Sequence, residues 1–88
     1  MGHTSQNELI EKLNIVKSII HVGDIYFHYK NKELKYEIKD IVMIEEIEEV
    51  GVVYKAMYGE EISWMRSVQN FNEFIEIDGI KTKRFIKA

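Results

Sequence analysis

The hydrophobic periodicity of this chain changes once, near Gly23, and that change constrains the fold more than any other feature. Before it, apolar residues recur at helical spacing; after it, they alternate with polar residues or form short β-branched runs. Helical spacing predicts an amphipathic helix, and alternation predicts strands with one buried face. We therefore expect one helix over residues 5–21 and a β-domain over residues 23–88. Residues 1–4 are interpreted as a disordered start or a cloning remnant.

The N-terminal helix has its own start signal. Ser5 is followed three residues later by Glu8, a capping box that satisfies amide groups left free in the first helical turn. The apolar stripe behind it consists of Leu9, Ile10, Leu13, Val16, Ile19 and Ile20. A helix of this length is marginal on its own, so the stripe is expected to pack on the β-domain. A homodimer that forms through the stripe is the alternative.

The second part of the chain predicts about five or six short antiparallel strands. They are expected near residues 25–30, 34–44, 50–58, 62–66, 74–77 and 80–85. Asn31-Lys32 is a plausible turn between the first two. Asp78-Gly79 is the strongest hairpin signal in the chain, because both residues tolerate the positive φ that a two-residue loop requires.

A short break in the alternation refines the fold class. Residues 67–72 are expected to form one helical turn that Ser67 caps. Closing short strands into a barrel removes their adhesive edges. The sequence therefore predicts a mainly β fold, a small SH3-like barrel preceded by one amphipathic helix.

Composition limits the classes of function. The 88 residues include no cysteine and no proline, and the net charge is −3. Absence of cysteine removes disulfides and thiolate metal sites and favours a reducing, cytoplasmic setting. No apolar run approaches the roughly 18 residues of a membrane span, so no membrane partner is expected. His21 and His28 with Asp24 match no known metal-ligand spacing, and neither a metal nor a cofactor is predicted.

The candidate binding residues are concentrated in residues 51–66, with two tyrosines, the only tryptophan and one of two arginines. Strand alternation puts Trp64 and Arg66 on one face, where they would either hold a carboxylate or phosphate or close the barrel as an arginine stacked on tryptophan. Tyr54 and Tyr58 share a face as well, and core packing is favoured there over a ligand platform.

Tyr26 and His28 share a face of the first strand. A histidine beside tyrosines can act as a general base, but a structural role is favoured because no recognisable nucleophile accompanies it. No catalytic residue is therefore assigned.

Six motifs follow one another in order: Y-F-H-Y-K at residues 26–30, V-V-Y-K-A-M-Y-G at 52–59, W-M-R at 64–66, Phe71, D-G at 78–79 and R-F at 84–85. Their order resembles a small bacterial family, the domain-of-unknown-function 1653 family. The resemblance implies an SH3-type barrel and no assigned activity. Relatives usually carry arginine where Phe27 stands and proline where Ser67 and Lys83 stand, and the helix lies outside the shared pattern.

The sequence leaves three functions open. The leading one is a small binding or adaptor domain for a peptide or small anionic ligand, contacted by Trp64, Arg66, Tyr58, Tyr26 and His28. The second is an RNA-associated module, in which tyrosines stack on bases and the basic tail after residue 79 meets phosphate. The third is an enzyme of unassigned activity, and the sequence favours a non-enzyme.

Overall fold

The computed structural model describes residues 5–88, so the expectation for residues 1–4 lies outside the described residues. Helix α1 (Gln6–Lys17) begins as the capping box predicts, since the Ser5 hydroxyl accepts a hydrogen bond from the Glu8 amide at 3.3 Å. The helix ends at Lys17 rather than at residue 21. The Ser18 hydroxyl donates to the carbonyl of Ile15 at 2.6 Å, a side-chain-to-backbone bond that accompanies the helix end.

The apolar stripe of α1 packs against its own domain. Val16 and Ile20 are buried, and Leu13 is packed against the core they belong to. Ile10 and Ile19 were expected to widen the stripe, but both are more than half exposed. The helix is therefore attached along a narrow line of side chains.

Seven strands follow α1, and the mainly β class is confirmed. They are β1 (Ile25–His28), β2 (Asn31–Ile44), β3 (Glu49–Ala56), β4 (Ser63–Ser67), β5 (Phe74–Ile77), β6 (Ile80–Lys83) and β7 (Phe85–Lys87), with helix α2 (Val68–Phe71) between β4 and β5. The predicted strand over residues 80–85 is divided at Arg84. Its amide bonds the carbonyl of Glu73 and its carbonyl bonds the amide of Tyr29, so the chain leaves one sheet for another there.

The strands form two antiparallel sheets. One has five strands in the order β4-β3-β2-β1-β7, and the other is the β5–β6 hairpin. The two edge strands β4 and β7 do not pair with each other, so the predicted barrel is not closed. The chain forms helix α2 between the edge strands β4 and β7. Phe71 of α2 is almost fully buried, and its ring stacks on Phe85 with the ring centres 4.8 Å apart.

The turns agree only in part with the prediction. Asp78 and Gly79 both have positive φ, 51° and 80°, and join β5 to β6 as a two-residue loop of the predicted kind. The first hairpin turns two residues earlier than expected, at residues 29–30. Asn31 pairs with His28 and is already in a strand.

The core lies on the inner face of the five-stranded sheet and is rich in aromatic rings. Ile38 and Val52 are fully buried at its centre. The buried aromatic residues are Tyr26, Tyr36, Tyr54, Phe71 and Phe85. Within residues 5–88, no helix combines the length and the apolar character needed to cross a membrane.

Candidate functional site

Strand register gathers the aromatic motifs on one face of the sheet. Trp64 lies opposite Tyr54, and His28 lies opposite Phe85. Directly opposed residues of an antiparallel pair project to the same face. Motifs far apart in the sequence therefore meet between the edge strands β4 and β7.

A cavity of about 350 Å³ opens at this meeting point, and we call it the aromatic cleft. Its lining consists of His28, Tyr36, Tyr54, Tyr58, Trp64, Met65, Arg66 and Phe85. Four of the five sequence-predicted site residues lie here: Tyr58, Trp64, Arg66 and His28. The fifth, Tyr26, does not line the cleft. It is buried in an edge-to-face contact with Phe71, with the ring centres 5.1 Å apart, because its strand position points it into the core.

Arg66 is held in place by three contacts. Its Nε donates to the Tyr54 hydroxyl at 3.1 Å, and Nη1 donates to Oδ1 of Asn70 at 2.9 Å. Its guanidinium carbon lies 5.6 Å from the ring centre of Phe85, so its stacking partner is Phe85 and not Trp64. Nη2 donates to no group among residues 5–88. The guanidinium is thus oriented and retains donors for a further acceptor.

The tyrosines form a hydrogen-bonded wall. The hydroxyls of Tyr36 and Tyr58 are 2.5 Å apart, and the Tyr36 ring meets both Tyr54 and Tyr58 edge to face. Burial raises the pKa of the Tyr36 phenol well above its ordinary value, and the bond to Tyr58 adds to this. The phenol therefore stays neutral and can both donate and accept hydrogen bonds.

His28 is also fixed in one form. Its Nδ1 accepts the Lys30 amide at 3.2 Å, which places the proton of the neutral ring on Nε2. Burial lowers the pKa of His28, and the positive charges of Lys30, Arg84 and Arg66 lower it further. At neutral pH the ring is therefore an uncharged donor.

The rim of the cleft is open. Trp64 and Met65 are each 52% exposed, and Tyr58 is 38% exposed. No carboxylate belongs to the described residues that line the cleft. The site thus combines one oriented cation, neutral hydroxyl and imidazole donors, and exposed apolar surface.

Four lining residues were not among the predicted site residues: Tyr36, Tyr54, Met65 and Phe85. Tyr36 shares a strand face with Leu34 and Ile38, a pattern that predicts burial and does not reveal its hydroxyl at the cleft. Phe85 lies in the R-F motif, which was a usable signal. What the sequence lacks is the pairing of β7 with β1 that brings Phe85 beside His28.

Fold and cleft together define a small β-domain with an open aromatic site and an N-terminal helix. A family model described as "Protein of unknown function (DUF1653)" matches residues 24–87. The chain belongs to this family, as the resemblance of its motifs indicated. The matched region includes every residue that lines the aromatic cleft and leaves out helix α1.

A solved structure of the same family supports the fold. It is a crystal structure of a DUF1653 protein from Bordetella bronchiseptica, 25% identical, with a TM-score of 0.66. The likeness covers 81% of this chain and 90% of that one. No curated protein matches the chain.

Among residues 5–88, no three His, Cys, Asp or Glu side chains are grouped as ligands of a metal ion.

Proposed function

We propose that this domain is a binding module for a ligand that carries a carboxylate or phosphate next to an apolar or aromatic group. The observation that carries the proposal is the aromatic cleft, where an oriented arginine and an exposed tryptophan share one cavity. A cavity of a few hundred Å³, lined by aromatic rings and by polar groups that converge on it, has the character of small-ligand sites.

The anionic part of the ligand is matched to Arg66. Tyr54 and Asn70 fix the guanidinium at Nε and Nη1, so little side-chain entropy remains to be lost on binding. The free Nη2 donors suit a carboxylate or phosphate oxygen. Because no described lining residue is acidic, nothing in the cleft competes with the ligand for the cation.

The apolar part of the ligand is matched to Trp64. Its exposed indole flanks the cleft, and an indole binds flat apolar groups well. Aromatic and arginine residues together are the usual anchors of binding sites. A peptide side chain and a small aromatic acid both fit this description.

The enzymatic alternative has less support. A general base at His28 needs a free ring nitrogen, but Nδ1 already accepts the Lys30 amide and Nε2 carries the proton. Its lowered pKa makes the protonated form still less available for acid catalysis at neutral pH. The imidazole is better suited to hydrogen-bond donation.

The RNA alternative also has less support. It needs the basic tail to be available for phosphate, and two of the four basic residues of the tail are ion-paired within the domain. Arg84 bonds Glu73 at 2.6 Å, and Lys87 lies 3.5 Å from Asp24.

A cytoplasmic location remains the proposal that a cysteine-free chain favours.

The test uses the single tryptophan of the chain. Trp64 gives one indole N–H signal in a ¹H–¹⁵N spectrum, so the cleft has its own reporter. We expect phenyl phosphate to shift that signal saturably, and benzyl alcohol to shift it much less. Arg66→Gln should weaken phenyl phosphate binding by about tenfold or more, because a charge-assisted hydrogen bond to the phosphate is lost.

Lys81→Gln is the matched control, because it removes the same charge from an exposed position of β6 outside the cleft. It should leave phenyl phosphate binding within about twofold of the parent, as expected for a distant exposed charge at physiological salt. Equal losses in the two variants, or an indole signal that phenyl phosphate leaves unmoved, would refute the proposal.

A further inference from the structure

Strand β4 is an edge strand whose outer backbone groups are unused. The Ala56 amide bonds the carbonyl of Ile62, and hydrogen-bonded pairs alternate along an antiparallel ladder. In the register of β3 with β4, Trp64 and Arg66 therefore direct their backbone groups toward β3. Ser63 and Met65 direct theirs outward, and no group among residues 5–88 pairs with them.

This edge has only part of the usual protection, since β4 is short and carries one arginine that faces the cleft. Natural edge strands are also blunted by proline, by lysine, by a bulge or by a covering element. The sequence of β4 is S-W-M-R-S, its ladder with β3 is regular, and its Trp64 and Met65 are half exposed. A free edge beside a binding cavity is the arrangement used for strand addition by extended peptides.

We propose that the ligand of the aromatic cleft is an extended acidic peptide that adds to β4 as an antiparallel strand. This inference rests on the proposed function and specifies its ligand. The central peptide residue would exchange both backbone hydrogen bonds with Met65, because Met65 offers an outward amide and an outward carbonyl. The peptide residues on either side of it face the cleft.

The register assigns a side chain to each of those two positions. The peptide residue opposite Arg66 points to the same face as the guanidinium, and a carboxylate there meets the free Nη2 donors. The peptide residue opposite Trp64 lies beside the indole, where an aromatic or large apolar side chain fits. An antiparallel peptide runs from the position opposite Arg66 to the position opposite Trp64. Read from its N-terminus, the peptide motif is therefore an acidic residue, any residue and then an apolar residue.

Charge favours this partner over a second copy of the chain. A copy added to β4 in antiparallel fashion would place its own S-W-M-R-S segment at the edge. The cleft-facing residues of that segment are tryptophan and arginine, so a pair centred on Met65 sets Arg66 of each copy beside Trp64 of the other. The S-W-M-R-S segment contains no carboxylate to meet either guanidinium.

The experiment compares three peptides by ¹H–¹⁵N spectroscopy and hydrogen exchange. Acetyl-TEVFT-amide has the predicted order, and acetyl-TFVET-amide has the same composition with the order reversed. The third is the first peptide with its central valine N-methylated. We expect the first to slow exchange of the Met65 amide by about tenfold or more at saturation, as formation of a ladder hydrogen bond requires.

The Trp64 amide already faces β3 and serves as the internal control. N-methylation should weaken binding by about tenfold, since it removes one backbone hydrogen bond and adds a clash. The reversed peptide and the Arg66→Gln variant should show losses of similar size, and Lys81→Gln should show none.

Three results overturn the inference. If acetyl-TEVFT-amide shifts the Trp64 indole but leaves Met65 exchange unchanged, the ligand enters the cleft without adding a strand. If phenyl phosphate binds and no peptide does, the cleft takes small anions only and the proposed function survives alone. A protein that is dimeric by sedimentation, with Met65 protected before any peptide is added, would show instead that a second copy covers the edge.

Discussion

Phe71 fixes the interior of the open sheet, and its truncation is the sharpest test of the fold. Its ring is 1% exposed and packs against three other rings, at 4.8 Å from Phe85, 5.1 Å from Tyr26 and 5.6 Å from Tyr54. Phe71→Ala removes the ring from a site that three different elements surround, so the cavity has little freedom to collapse. Replacement of a buried phenylalanine by alanine costs about 3–5 kcal/mol.

That loss is large for a domain of this size. At about 0.05–0.15 kcal/mol per residue, 88 residues have a free energy of unfolding of roughly 4–13 kcal/mol. We therefore expect Phe71→Ala to lose a large share of its stability. Urea unfolding followed by Trp64 fluorescence and by circular dichroism measures the change.

Phe74→Ala is the matched control, because Phe74 lies three residues on and is 60% exposed. It should change the free energy of unfolding by about 0.5 kcal/mol or less. If Phe71→Ala costs less than about 1.5 kcal/mol, or costs no more than the control, Phe71 is not the interior plug described above.

Three further predictions concern single side chains. Gly51→Ala should lose about 1–3 kcal/mol in urea unfolding, since the added Cβ would lie 2.9 Å from Cγ1 of Ile44; an unchanged midpoint would contradict this. The lowered pKa of His28 means that the unfolded chain binds its proton more readily, so stability should fall as pH drops below about 6.5 and level off below the folded pKa. An NMR titration midpoint for the His28 ring above 6.5 would reverse that sign. Tyr58→Phe should lower the pKa of the Tyr36 phenol in a ¹³C titration while burial keeps it above the ordinary value, and an unchanged pKa would show that the Tyr58 hydroxyl contributes nothing.

Local signals in the sequence predicted the elements well. The capping box at Ser5 and the loop at Asp78-Gly79 each act over a few residues, so the residues themselves contain the whole interaction. The end of α1 was missed because the apolar spacing continues to Ile20, although the helix ends at Lys17 and the Ser18 hydroxyl bonds the Ile15 carbonyl. The division of the last strand was missed because Arg84 bonds Glu73 and Tyr29, which are distant in sequence.

The site was predicted in composition but not in geometry. Alternation placed Trp64 and Arg66 on one face correctly, since they belong to one strand. Alternation also put Tyr26 and His28 on one face of their strand. In the structure only His28 lies at the cleft, whereas Tyr26 is buried in the core. The difference arises from the position of each residue along β1 relative to Phe71, which only the tertiary arrangement determines.

The failure of the barrel to close is what creates the candidate site. Closure would pair β4 with β7 and use the outward backbone groups of Met65 in a ladder. In the open sheet, α2 and Phe71 fill the interior, so the domain retains a packed core without that pairing. The gap remains lined by Arg66 from one edge and Phe85 from the other. A variant in which a cross-link spanned the gap from β4 to β7 should therefore lose binding of acetyl-TEVFT-amide. Binding that persisted in the cross-linked protein would mean that the ligand does not use the gap.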